Sequence, residues 1–219
     1  MPVSISALFA AVYIDLPENS RHSGTENERI GVISGMSRFK LNKTVVMIGM
    51  MGAGKTAVGT VLARSLGVKF VDSDHELEAA SNTTIAEIFD NFGEEFFRKK
   101  ESQVLARLLE EEPCVLSTGG GAFLRAANRD IIAQKGLAIW LKADEDLLWA
   151  RVKHKSTRPL LRVPNPREKL CAMLRDREPF YQMAGLTVEA DPNYTVQDMA
   201  NKVIDVLLAD SSNVLNEAR

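Results

Sequence analysis

Gly49-Met-Met-Gly52-Ala53-Gly54-Lys55-Thr56 satisfies G-x-x-x-x-G-K-[ST] at every fixed position. A short apolar run, Thr44 to Ile48, precedes it, and a helical pattern from Lys55 to Leu66 follows, which is the context this motif needs. The chemistry is that of a phosphate cradle. Glycines let backbone N–H groups close around clustered negative charge without a clashing Cβ. The following helix adds unsatisfied N–H groups and its positive dipole end. Lys55 has the reach for β and γ phosphates, and Thr56 carries the hydroxyl expected to hold Mg²⁺. The motif specifies a nucleoside triphosphate and leaves the acceptor open, because GTPases, motor ATPases and small-molecule kinases share it.

Residues further along bear on the acceptor. A second apolar run ends in Phe70-Val71-Asp72-Ser73-Asp74. Ligands of open parallel sheets bind outside the carboxyl ends of the strands. Of two carboxylates there, one can serve Mg²⁺ and the other can accept a hydrogen bond or proton from a substrate hydroxyl. Either is equally suited to cap the next helix. Arg98, in Gly93-Glu-Glu-Phe-Phe97-Arg98-Lys-Lys-Glu101, is a candidate anion grip or a surface residue paired at i,i+3 with Glu101. Gly119-Gly120-Gly121 follows a third strand and permits close backbone approach to an anion, or a plain strand-to-helix turn. Ser117 and Thr118 stand where an Asp is usual, which leaves metal binding to Thr56 and Asp72.

The stretch Arg151-Val-Lys-His-Lys-Ser-Thr-Arg158-Pro-Leu-Leu-Arg162 holds five basic residues and no acid. A basic, proline-stopped segment between helices suits a lid over phosphates, about residues 152–164. It also suits a solvated loop or, less well without aromatics, a nucleic-acid patch. Arg177 lies in Arg177-Glu-Pro-Phe-Tyr181. His22, His75 and His154 are not at metal-ligand spacings, and Met47, Met50 and Met51 read as packing.

The elements that must position these residues alternate. Short apolar strands are expected at 44–48, 68–71, 114–117, 137–141 and 186–189. Helices are expected at 55–66, 76–80, 85–92, 94–111, 126–134, 144–152, 166–182 and 195–208. Solid apolar strands separated by helices imply α/β architecture, a parallel sheet covered on both faces. Residues 1–40 read as a poorly ordered N-terminal extension and 211–219 as a C-terminal tail, leaving a domain at 41–210. The apolar run Val3 to Ile14 has neither the basic flank nor the cleavage site of a secretory signal, and Asp15, Glu18, Glu26 and Glu28 argue against a transit peptide.

Composition narrows the class. The 219 residues suit one domain, and a net charge of −2 is too neutral for whole-protein attraction to nucleic acid or membrane. No run reaches the ~18 apolar residues that span a bilayer. Two cysteines exclude a disulfide framework and fit a reducing, cytoplasmic setting.

Seven segments in order, GMMGAGKTAVG, FVDSDHELE, IAEIF, GEEFFRKKE, LSTGGG, TRPLL and REPFY, resemble the shikimate kinase family of nucleoside monophosphate kinase-like P-loop enzymes, over about residues 44–208. The resemblance implies a three-layer α/β/α fold of P-loop kinase type with a five-stranded parallel sheet. It implies transfer of the γ-phosphoryl of ATP to the 3-hydroxyl of shikimate, with Mg²⁺, in a monomer. Gly52, Ala53, Gly54, Lys55, Thr56 and Ala57 look like the ATP phosphate loop. Asp72 looks like the residue near Mg²⁺, and Asp74 like the one that binds shikimate hydroxyls and assists deprotonation. Arg98, Gly119, Gly120, Gly121 and Arg177 look like the grip on the shikimate ring and carboxylate. Arg158 looks like the lid arginine and Arg151 like a residue stacking near adenine. The loop around Ala190 to Tyr194 matches only loosely, so no base contact is assigned there. The rivals are a gluconate-type kinase on the same scaffold and a P-loop regulatory or nucleic-acid-binding module.

Overall fold

The computed structural model describes residues 38–154 and 159–218. The expected extension as far as residue 37, and the expected lid arginine Arg158, lie outside the described residues. In chain order the elements are β1 (Phe39–Leu41), β2 (Thr44–Ile48), α1 (Lys55–Leu66), β3 (Phe70–Asp72), α2 (Ser73–Ser81), α3 (Ile85–Leu108), β4 (Val115–Ser117), a 3₁₀ turn (Ala122–Leu124), α4 (Ala126–Lys135), β5 (Gly136–Lys142), α5 (Glu145–Val152), a second 3₁₀ turn (Pro159–Leu161), α6 (Pro166–Tyr181), β6 (Leu186–Glu189), α7 (Val196–Ala209) and β7 (Leu215–Glu217).

The central sheet is parallel throughout, in the order β3-β4-β2-β5-β6. Parallel crossovers put helices on both faces, so the strands are apolar all round. Val45, Val46, Val115, Leu116, Ile139 and Leu141 are all fully buried in one core. Register decides where the site lies. Met47 pairs with Ser117, and Ser117 with Asp72, so three strands end level. The chain order reverses at β2, which neighbours β4 on one side and β5 on the other. A crevice opens at such a switch point.

Local rules account for the helices nearest the site. Gly54 and Gly67 bound α1 in left-handed conformations, φ 99° and 67°. Val58, Leu62, Ala63 and Leu66 form its buried stripe. Asp72 caps α2, its carboxylate accepting from the Asp74 N–H, and Thr84 with Glu87 closes a capping box on α3.

Four expectations need adjustment. The second strand begins at Phe70 rather than Val68, because the Gly67 and Val68 amides are spent on the α1 carbonyls of Arg64 and Ala63. The second helix, α2, begins at Ser73 because Asp72, not a later residue, is its cap. The two helical patterns at 85–92 and 94–111 form one kinked helix across Gly93, whose φ of 78° and ψ of 174° suit only glycine. Residues 39–41 and 215–217, either side of the expected domain limits, pair as an antiparallel two-stranded sheet. That pairing buries Leu41, Val214 and Leu215, and the Asn42 side chain donates to the Asn213 carbonyl. Leu215→Ala removes a side chain only 3% exposed. It is expected to cost about 2 kcal/mol, read as a lower urea midpoint at unchanged m value.

Candidate active site

The loop between β2 and α1 is held open by three glycines with positive φ: Gly49 at 135°, Gly52 at 86° and Gly54 at 99°. A Cβ at Gly49 would come 2.8 Å from the Leu141 carbonyl, so the loop could not pack against β5 with any other residue. Lys55 bends back across this loop, its Nζ donating to the carbonyls of Gly49 at 2.8 Å and Met50 at 3.2 Å. Arg151, from α5, donates Nη1 to the carbonyls of Gly52 and Ala53, each at 3.3 Å. Two cations therefore flank a ring of amides at the amino end of α1.

At the end of β3, Asp72 does two things. One oxygen caps α2, and the other accepts from the Thr56 hydroxyl at 3.2 Å. Capping and a contact with the threonine of the phosphate loop thus coexist in one side chain. The Asp74 carboxyl is held above its ordinary pKa, first by burial and next by the negative charge of Asp72, with Lys55 and Arg98 pulling the other way.

The triglycine turn after β4 explains its own composition. A Cβ at Gly119 would lie 2.8 Å from Asp74 Oδ1 and 3.0 Å from Glu101 Oε1. One at Gly121 would lie 2.5 Å from Arg98 Nη1. The turn is bare because carboxylates and a guanidinium pack directly on its backbone.

Arg98 is gripped from two sides. Its Nη1 donates to Glu101 at 2.9 Å, while Nε and Nη2 both face Glu94, at 3.3 and 3.2 Å. Glu101 is 2% exposed and Glu94 is 68% exposed. Burial raises the Glu101 pKa, with the adjoining Arg98 opposing that shift, and its Oε1 has no hydrogen-bond partner among the described residues. Glu101 is the fixed partner and Glu94 the exchangeable one. The Nε–Nη2 edge that Glu94 occupies is the edge suited to bidentate carboxylate binding. Arg177 reaches the same turn from α6, its Nη1 3.3 Å from the Gly120 carbonyl.

A cavity of about 840 Å³ joins these parts. The phosphate loop from Met51 to Ala57, together with Asp72, Asp74, Ser117 to Gly120 and Arg151, lines it. Arg98, Gly121 and Arg177 flank it through Gly119 and Gly120. Tyr194, Thr195, Val196 and Met199 close the side beyond Arg151, where no contact was assigned from sequence. Two further residues carry structure here without a sequence assignment. Glu101 was legible only as a pairing partner of Arg98. Tyr181, which ends the REPFY segment, donates its hydroxyl to the Gly120 carbonyl at 2.5 Å.

A second surface hollow, between α5 and α6 around Trp149 and Cys171, is lined by Glu145, Arg167, Glu168 and Arg175, of which Arg167 is already paired with Glu145 and Asp146. No helix among the described residues is long and apolar enough to cross a membrane.

Comparison with known proteins agrees with this geometry. The family model described as "Shikimate kinase" matches residues 51–208. A shikimate kinase from Cereibacter sphaeroides is 62% identical over 168 residues, covering 77% of this chain and 84% of that protein. One from Ruegeria pomeroyi is 58% identical over 167 residues, covering 76% of this chain and 86% of that protein. Among solved structures, shikimate kinase from Acinetobacter baumannii in complex with shikimate superposes with a TM-score of 0.74 at 39% identity, covering 78% of this chain and 96% of that one. A sugar kinase from Janibacter, 17% identical with a TM-score of 0.52, shares the fold alone. The phosphate loop, the level strand ends and these relatives agree: the chain belongs to the shikimate kinase family.

Proposed function

We propose that the chain transfers the γ-phosphoryl group of ATP to the 3-hydroxyl of shikimate, giving shikimate 3-phosphate and ADP. The observation that carries this reading is one cavity with a cationic amide ring at one end and Asp74 beside the triglycine turn at the other.

On the donor side, the amides of Gly52 to Ala57 receive the phosphates. Lys55 exchanges its two carbonyl partners for phosphate oxygens, so that both members of the contact carry charge. Arg151 braces the loop from outside, next to the space left for the base. Arg158 is assigned to the lid and supplies a further charge over the transferring group. The Thr56 hydroxyl and Asp72 carboxylate are hard oxygen donors side by side on the cavity wall, a donor set that fits Mg²⁺. When bound, Mg²⁺ neutralises charge on the β and γ phosphates.

On the acceptor side, Arg98 trades Glu94 for the shikimate carboxylate, and Arg177 supplies a second guanidinium. The backbone of Gly119 to Gly121 lies flush against the ring. Asp74 accepts a hydrogen bond from the acceptor hydroxyl and takes its proton as the oxygen bonds to the γ-phosphorus and ADP departs with the bridging oxygen. A carboxyl held above its ordinary pKa is a stronger base for that transfer than a free aspartate. The cavity is complete within one copy of the chain, so the reaction as proposed needs no residue from a partner. The two free cysteines fit a reducing, cytoplasmic setting.

ADP release assayed with shikimate, with gluconate and with no acceptor tests the assignment. Release dependent on shikimate is expected; release with gluconate alone, or equal release without acceptor, overturns it. Asp74→Asn is expected to lower kcat by about 10²–10⁴ while ATP still binds by titration. The same variant stabilises the ligand-free protein. A carboxyl whose folded pKa is raised binds more protons folded than unfolded, so stability is lost as pH climbs from the ordinary aspartate value through the raised one. Removing that charge therefore raises Tm at pH 7. The kcat/KM profile is expected to fall toward acid through an apparent pKa above 3.8, and Asp74→Asn abolishes that limb. Arg98→Lys keeps the charge and loses the fork. It is expected to raise the shikimate KM by about tenfold or more with the ATP KM unchanged.

A further inference from the structure

Tyr181 is fully buried at the last turn of α6, yet nothing in the mechanism above uses it. Its hydroxyl has one hydrogen, and the short 2.5 Å contact commits it to the Gly120 carbonyl. The same oxygen lies 3.8 Å from the Met50 sulfur in the phosphate loop. Gly120 in turn faces that loop, since a Cβ there would lie 3.6 Å from the Gly49 carbonyl and 3.8 Å from the Tyr181 hydroxyl. The Tyr181 ring is set by Trp140, with centroids 6.0 Å apart, and Trp140 pairs in register with Ile48 at the mouth of the phosphate loop. One phenol thus touches both the donor loop and the acceptor turn.

We propose that Tyr181 is a positioning residue: by holding the Gly120 carbonyl it fixes the triglycine turn against the phosphate loop while Arg177 serves the acceptor. This rests on the shikimate-kinase reading for its functional half. The Gly120 carbonyl accepts from two donors, Tyr181 at 2.5 Å and Arg177 at 3.3 Å, and Arg177 also hydrogen-bonds the Tyr181 hydroxyl. A guanidinium that turns to a substrate carboxylate gives up the longer bond, and the phenol keeps the turn in place. Because the peptide unit is planar and trans, fixing that carbonyl also fixes the Gly121 N–H on the opposite side. Burial raises the Tyr181 pKa, so the phenol remains a donor through the neutral range. A glycine triplet has the largest conformational freedom of any three residues and needs such an anchor to present a single surface.

Tyr181→Phe keeps the ring against Trp140 and deletes the donor. Two readouts apply to the full chain: steady-state KM values for both substrates, and backbone hydrogen exchange over residues 118–122 without ligands. The expected result is a shikimate KM raised about tenfold, the loss of one good hydrogen bond, an ATP KM changed by less than about twofold, and faster exchange at the turn. Leu170→Ala is the comparator. It empties a fully buried site on the same helix without touching Gly120, and is expected to lower Tm while leaving the shikimate KM within about twofold. Unchanged exchange and unchanged shikimate KM in Tyr181→Phe overturn the proposal. So does an equal rise in shikimate KM in Leu170→Ala, which marks general loosening of the helix. If the unaltered protein fails to phosphorylate shikimate while Tyr181→Phe still speeds exchange at the turn, the anchoring role stands and the functional assignment falls.

Discussion

Three parallel strands that end at one level make the rest possible. Met47, Ser117 and Asp72 stand side by side across β2, β4 and β3, so the segments leaving those strands share a rim. The phosphate loop leaves from the first, the triglycine turn from the second and the paired aspartates from the third. A slip of one residue in either pairing would point Asp72 away from Thr56 and turn the apolar strand faces over. Fully buried side chains along β2 and β4 oppose such a slip.

The charges on that rim are arranged as loans between neighbours. Lys55 rests on the carbonyls of its own loop, and Arg177 on the carbonyl of Gly120. Arg98 shows the logic best, with one partner buried beside it and the other in solvent. Breaking the buried pair would strand Glu101 in a place where an uncompensated charge costs several kcal/mol. Exchanging the exposed pair costs little, because such a contact contributes about 0.3–0.5 kcal/mol. The guanidinium is thereby aimed by its buried partner, and its other edge can be released cheaply. Preorganisation of this kind reduces the ordering a ligand must impose on binding.

The same crowding has a thermodynamic cost. Asp74 and Glu101 converge on the bare backbone of Gly119, with the charge of Asp72 acting on Asp74, and burial holds both Asp74 and Glu101 above their ordinary pKa values. Folding gains nothing from carboxyls in that state at neutral pH, so the core must offset them. The continuous apolar core running from Leu41 to Leu215 does so, and the pairing of β1 with β7 closes it where the two ends of the described chain meet.

Much of this was legible in the residues themselves. The phosphate motif depends on backbone amides and on glycines within one short segment, so spacing alone identifies it. The alternation of solid apolar runs with helical periodicity likewise reports a covered parallel sheet, because both patterns are local. The two-stranded pairing of 39–41 with 215–217 was not legible, since three-residue strands carry no periodicity and their partners lie at opposite ends of the described chain. Nor could spacing tell that Asp72 caps α2 and meets Thr56 at once, or that Arg98 packs on the backbone of Gly121; contacts across the fold show both. Gly120 of the glycine triplet and the tyrosine that ends α6 are 61 residues apart, and only packing of that helix against the 3₁₀ turn Ala122–Leu124 brings a hydroxyl to a carbonyl. Short-range chemistry is written along the chain, whereas the partner that holds each group in place is decided by which surfaces meet.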